Sequence, residues 1–223
     1  PNGWTTIGEL KIGDTIFSRD GNPTKVIGKS EIQKIDTYEI EFDNGEVIKA
    51  CSEHLWKVSH SDWYHKEKVL NTAEIIKKFS SLKKSKKSSS IYINITNSLN
   101  LPEASLPIDP YTFGVWLGDG SRSNGAITGI YEDIEIISSN IPLQITKKSK
   151  VRDNNWRYYF NGLRKETHSL GLDKEKYIPE EYLRSSTNQR LQLLRGLMDT
   201  DGFVAPNGAC EFYQKEGKLL YQV

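Results

Sequence analysis

The sequence predicts two regions of different class, an all-β amino-terminal part followed by an α+β part. Three observations carry this. The first sixty residues are short alternating segments punctuated by Gly-containing turns. The later residues carry longer segments bounded by helix caps and terminal glycines. The character changes at Leu106-Pro107-Ile108-Asp109-Pro110, which places the boundary near 100–108, and the regions are drawn as 1–105 and 106–223.

Within the first region, Ile12-Gly13-Asp14 and Asp20-Gly21-Asn22-Pro23 are turn chemistry. Residues 37–42 alternate into Asp43-Asn44-Gly45, the strongest short hairpin signal a sequence offers. Asn71-Thr72 caps a short helix over 73–79 that keeps Ile75, Ile76 and Phe79 on one face. Residues 80–90 (SSLKKSKKSSS) read as a basic exposed loop, and 91–95 as a strand. In the second region Asp109 is an N-cap, and Pro110 stands at the first helical position, where its missing N–H costs nothing. That helix runs to about Gly118 and stops at Gly120. Residues 132–139 are helical, and 143–151 with 156–161 form a hairpin about Asp153-Asn154-Asn155. Helices over 163–169 and 187–201 follow, the last ending at Gly202.

Composition narrows the function classes. The 223 residues carry 30 Lys and Arg against 29 Asp and Glu, and mean hydropathy is −0.58. No 18-residue uncharged apolar run exists, which excludes a membrane-spanning helix, and no secretory signal opens the chain. Cys51 and Cys210 alone exclude a disulfide scaffold and favour a reducing, intracellular setting. The near-zero charge averages islands. Residues 31–46 hold six acids and one base, while 77–90 hold six lysines and no acid. Residues 144–165 hold seven cations against Asp153. Contact with a polyanion and a solvated surface both account for such islands.

One repeat carries chemistry. Tyr111-Thr-Phe-Gly-Val-Trp-Leu-Gly-Asp-Gly120 and Leu193-Leu-Arg-Gly-Leu-Met-Asp-Thr-Asp-Gly202 are matched helix ends. Gly114 with Gly118, and Gly196 with Thr200, give each helix a small-residue stripe that permits close backbone approach. Asp119 and Asp201 stand in the final turns, each before a glycine expected in the left-handed region. A carboxylate there faces the negative end of the helix dipole, at a cost of a few tenths to about 1 kcal/mol. Close packing adds like-charge repulsion. A divalent cation reverses the sign, and hard oxygen donors suit Mg²⁺ with several waters retained. Two such metals would activate a water and stabilise the departing alkoxide of a phosphodiester. The plainer reading is a pair of Asp-Gly turns.

The segments 116–120 (WLGDG) and 194–202 (LRGLMDTDG) resemble the two motifs of the LAGLIDADG, or dodecapeptide, homing endonucleases, and Lys176-Tyr-Ile-Pro179 resembles the lysine motif between them. The likeness covers roughly 106–223. It implies a pair of αββαββα halves forming a β saddle over double-stranded DNA, the second half incomplete here. It makes Asp119 and Asp201 metal-binding catalytic acids and Lys176 the active-site lysine. Without it, Lys176 is an ordinary surface lysine. Lys147, Lys148, Lys150, Arg152 and Arg157 fall on the hairpin the likeness sets against DNA, with Lys148, Lys150 and Arg152 sharing a face by the two-residue period. Trp156, Tyr158 and Tyr159 are saddle contacts or, better, packing residues.

Residues 1–60 resemble the beginning of an intein Hint domain. The segment 45–56 (GEVIKACSEHLW) is similar to its Thr-x-x-His block, with Cys51 at the Thr position. That likeness makes His54 the residue that assists cleavage of the amino-terminal scissile peptide; a hydrogen-bonded structural histidine is the alternative. Inteins open with Cys or Ser and close with His-Asn, whereas this chain runs from Pro1 to Val223, so it is expected to be an interior piece of a longer intein whose flanking host protein supplies the exteins. The sequence leads to an intein-encoded, metal-dependent endonuclease making a double-strand break. An autoprocessing element with a decayed nuclease and a DNA-binding saddle without catalysis are the alternatives.

Overall fold

A computed structural model describes residues 3–60, 63, 66–81 and 90–223, and 82–84 by backbone. The chain divides into two compact units, Pro1–Leu99 and Asn100–Val223. Residues 100–105 go with the second unit for a local reason. The Gln189 amide accepts from the Ala104 N–H (2.9 Å) and donates to its carbonyl (2.7 Å). The buried Tyr182 hydroxyl makes the same reciprocal pair with Ile108 (3.0 and 2.9 Å). No described helix is long and apolar enough to cross a membrane.

In the first unit, β1 (Thr15–Phe17) pairs with β2 (Pro23–Lys25), and β3 (Thr37–Glu41) with β4 (Val47–Cys51), all antiparallel. The β3–β4 turn uses Gly45 at φ +86°. Strand β5 (Leu55–Ser59) lies between β6 (Lys68–Asn71) and β7 (Tyr92–Ile93). Ala50, Trp56 and Val58 are the buried centre, and the Trp56 indole N–H donates to Thr72 (2.9 Å). Helix α1 spans Thr72–Lys84. Asn71 caps it reciprocally, its side chain accepting from the Glu74 N–H (2.9 Å) while Glu74 accepts from the Asn71 N–H (2.8 Å). The helix therefore continues five residues past 79, through 80–84 of the expected loop, because no Gly or Pro interrupts the run. The remainder of that loop, 85–89, lies outside the described residues.

The second unit runs α2 (Pro110–Asp119), β8 (Ile127–Ile130), α3 (Tyr131–Ser139), β9 (Ile145–Arg152), β10 (Asn155–Phe160), α4 (Leu163–Ser169), α5 (Glu180–Leu183), α6 (Thr187–Asp201), β11 (Gly202–Val204) and β12 (Cys210–Phe212). Asp109 caps α2 through the Thr112 N–H (2.9 Å). Ser186 and Gln189 form a capping box on α6. Helix α2 is apolar all round and buried from Tyr111 to Leu117, so it forms the centre of the core. The antiparallel sheet is ordered β8-β10-β9, and an isolated bridge, Gly120 to Ile127, precedes it.

Register assigns the faces of that sheet. Tyr158 and Phe160 are buried on the core side, where Tyr158 stands opposite Ile127 and Lys148. Arg157 stands opposite Thr128 and Ser149, and Tyr159 opposite Lys147, on the other side. A bulge at Val151 sets Arg152 against Asn155, off the face of Lys148 and Lys150. The two-residue period expected for Lys148, Lys150 and Arg152 is broken there.

Candidate active site at the paired helix ends

Helices α2 and α6 meet glycine to glycine. A Cβ on Gly114 would stand 2.2 Å from the Leu193 carbonyl oxygen and 3.0 Å from the Gly196 Cα. One on Gly196 would stand 2.2 Å from the Tyr111 carbonyl oxygen. Both are backbone collisions, so only glycine admits this approach. A Cβ on Gly118 would meet Thr200 Oγ1 at 2.0 Å and an Asp201 carboxylate oxygen at 3.3 Å. The stripes thus bring the two aspartate-bearing turns beside each other.

The glycines after the aspartates are not left-handed. Gly120 has φ −77° and Gly202 φ −92°, both extended, which corrects the expectation from Asp-Gly helix ends. They are required by space. A Cβ on Gly120 would lie 2.2 Å from the Trp116 carbonyl oxygen, and one on Gly202 2.5 Å from the Met198 carbonyl oxygen. An extended glycine lets each helix pass straight into a bridge or strand.

Lys176 joins the aspartates from an irregular stretch before α5. Its ammonium donates to the Gly118 carbonyl (2.8 Å), one of the last-turn acceptors of α2, and stands 5.3 Å from the centre of the Trp116 ring. Electrostatics register the crowding. Burial, then the charge of Asp201, lift the Asp119 carboxyl to about 6, against the pull of Lys176. Burial also raises Asp201, opposed by Lys176 and by the Gln214 side-chain amide, which donates to its Oδ2 (2.9 Å). Burial lowers Lys176 to about 8, although both aspartates favour its charge. Arg122, whose guanidinium donates to the Lys174 carbonyl, opposes that charge as well. Beside the lysine opens a cleft of about 260 Å³ whose walls include Arg122, Lys174, Gln214, Lys215 and Lys218.

Among the described residues no cluster of three or more His, Cys, Asp or Glu exists. The fit to a cation rests on the two carboxylates, held together at a neutralisation cost that a divalent ion would relieve. Such an ion would complete its shell with water or substrate oxygens.

The hairpin cations divide. Lys148 is on the core side, paired with Glu135 of α3 (2.6 Å) and 4.4 Å from the Tyr158 ring centre. Lys150, opposite Trp156, shares that side. Lys147, 5.5 Å from the Tyr159 ring centre, and Arg157, 3.5 Å from the Thr128 hydroxyl, are on the open side with Arg152. Of the aromatic residues, Tyr158 is fully buried and Trp156 packs on Tyr131 (5.6 Å between centroids).

His54 belongs to the first unit. It ends the turn from Cys51, its N–H donating to the Cys51 carbonyl (3.2 Å), and its carbonyl accepts from the Thr72 N–H (3.1 Å). The exposed imidazole stands edge-on to Trp56 at 4.6 Å. Cys51 is half-buried.

Gln214, and the Tyr111 hydroxyl that donates to Asp199 (2.7 Å) across α2 and α6, were not among the sequence candidates. Gln214 lies in a polar stretch without a motif. The Tyr111–Asp199 pair was in principle legible, since both residues sit inside the repeated helices.

Comparison with known proteins returns helicases. The chain is similar to mycobacterial DnaB. It is 33% identical over 241 aligned positions to the replicative DNA helicase DnaB of Mycobacterium intracellulare, covering 100% of this chain and 39% of that protein. It is 39% identical over 61 positions to the replicative DNA helicase DnaB of Mycobacterium leprae (strain TN), covering 27% of this chain and 10% of that protein. The chain thus spans well under half the length of these relatives. No protein-family model matches it.

Proposed function

We propose that the chain is part of an intein-encoded LAGLIDADG homing endonuclease, lodged in a DnaB-type host and cutting both strands of DNA with the help of Mg²⁺. The observation that carries this is the convergence of Asp119, Asp201 and Lys176 at glycine-packed helix ends. The order helix, bridge with strand, helix, two strands, helix in the second unit supports it. A likeness to a replicative helicase is then the likeness of an insertion to part of a host chain. Helicase chemistry has less support. Gly28-Lys29-Ser30 has Pro23 where a phosphate loop needs its first glycine, and no helix follows it.

Asp119 and Asp201 would hold the metal, which supplies charge stabilisation at a phosphodiester and a water activated for attack. Lys176 brings a cation to the same point. Its lowered proton affinity suits it to pass a proton near neutral pH as well as to stabilise phosphate charge. Gln214 orients the Asp201 carboxylate through Oδ2. Lys147, Arg152 and Arg157 on the open sheet face would neutralise phosphates of the bound duplex. His54, exposed at its turn, would act on the amino-terminal scissile peptide in splicing.

The test uses the full-length protein. Mg²⁺-dependent double-strand cleavage of a DnaB gene lacking the insertion is expected, abolished by Asp119→Asn and by Asp201→Asn. Cleavage that survives both changes sinks the assignment. His54→Ala should block thioester formation at the amino-terminal junction in the same protein.

A further inference from the structure

The last residues fold back beneath the site. The Tyr213 N–H donates to the Asp201 carbonyl (3.0 Å), and Gln214 binds the Asp201 carboxylate. Leu219 is buried in the core, and the Lys218 ammonium stands 4.0 Å from the Tyr177 ring centre. Gln222 then closes on Ile178. Its Oε1 accepts from the Ile178 N–H (2.8 Å) and its Nε2 donates to the Ile178 carbonyl (2.9 Å). A single side-chain amide thus reproduces the two bonds a neighbouring strand would make.

Residues 175–179 carry no regular secondary structure, so no helix or sheet ladder sets the backbone from which Lys176 projects. Ile178 is buried two residues on, and the far end of Lys176 is held at the Gly118 carbonyl. We propose that Gln222 is a positioning residue for Lys176, fixing the backbone at Ile178 so that the ammonium meets the Gly118 carbonyl and the aspartate pair. This rests on the reading of Lys176 as the active-site lysine.

The test follows Lys176 itself as well as cleavage. Full-length protein is pulse-labelled with an amine-acylating reagent, and modification is quantified lysine by lysine by mass spectrometry. Losing two hydrogen bonds at a buried backbone should raise local opening, so Gln222→Ala is expected to increase Lys176 modification about tenfold. Lys147 and Lys174 should be unaffected. Single-turnover cleavage should fall by a similar factor with DNA affinity unchanged. Gln222→Glu keeps the acceptor and loses the donor, so it should give a smaller change of the same kind and serves if the alanine variant does not fold. Unchanged Lys176 labelling in the folded variants overturns the proposal, and so does a uniform rise at all lysines. Selective labelling of Lys176 with wild-type cleavage supports the clamp and removes the lysine from catalysis.

Discussion

Asp119 and Asp201 end helices of one plan in unlike surroundings. Helix α2 is buried along Tyr111–Leu117, whereas α6 leaves Leu191 and Leu194 about two-fifths exposed (44% and 41%). The Asp119 carboxyl is lifted to about 6 by burial and by its neighbour. Asp201, raised by the same burial, keeps a donor in Gln214 that favours its charge. The repeat is therefore close to symmetric in backbone and asymmetric in charge. Asp119 is the half of the pair whose charge the fold opposes more strongly.

The backbone symmetry gives the largest expected effects. Gly114→Ala and Gly196→Ala put a methyl group against a carbonyl 2.2 Å away, and only separation of the helices relieves it. Each should cost about 3 kcal/mol or more, read from urea denaturation of the second unit. Gly118→Ala meets the Thr200 side chain instead. It should cost less, about 1–2 kcal/mol, because a side chain rather than backbone has to give way. Equal losses at all three glycines would mean that the contact is softer than backbone on backbone.

These stripes were legible in sequence because four-residue spacing and terminal Asp-Gly are local patterns. The helix boundaries at 110 and 201 followed from Asp109, Pro110 and Gly202 for the same reason. What sequence missed was set by space or by partners distant in the chain. The extended φ of Gly120 depends on the Trp116 carbonyl and ring beneath it, not on the Asp-Gly dipeptide. The face of Arg152 depends on one bulged residue, Val151, which a strict period cannot foresee. Gln214 and Gln222 reach Asp201 and Ile178 from a tail with no pattern of its own.

The charge asymmetry gives effects of middle size. A carboxyl raised in the folded state favours folding when protonated. Without divalent ions, Asp119's own contribution to the stability of the second unit should be full below about pH 4 and be lost as pH rises through about 6. The loss attributable to Asp119 is at most about 2 kcal/mol once partial solvent screening is allowed for. Asp119→Asn should therefore melt higher than wild type in EDTA at about pH 8 and match it near pH 4. Asp201→Asn should gain less, because Gln214 already favours its charged form. Equal gains would erase the distinction between the two ends. Lys176→Met removes the cation that opposes the Asp119 shift, so it should move the transition to higher pH.

The smallest expected effect concerns the sheet. Lys147 and Arg157 are on its open face, while Lys148 turns to Glu135 on the helix side. If the open face meets DNA, Lys147→Gln and Arg157→Gln should each lower the slope of log affinity against log salt by about 0.9. Lys148→Gln should leave that slope unchanged and cost under about 1 kcal/mol of stability, the usual worth of a partly exposed ion pair. The three residues lie on adjacent strands of one sheet, so a diffuse electrostatic attraction would weaken alike for all of them. A slope that responds to Lys147 and Arg157 but not to Lys148 can come only from contact through one face. An equal response from Lys148 would mean that its bond to Glu135 opens on the DNA, and that register alone does not select the binding face.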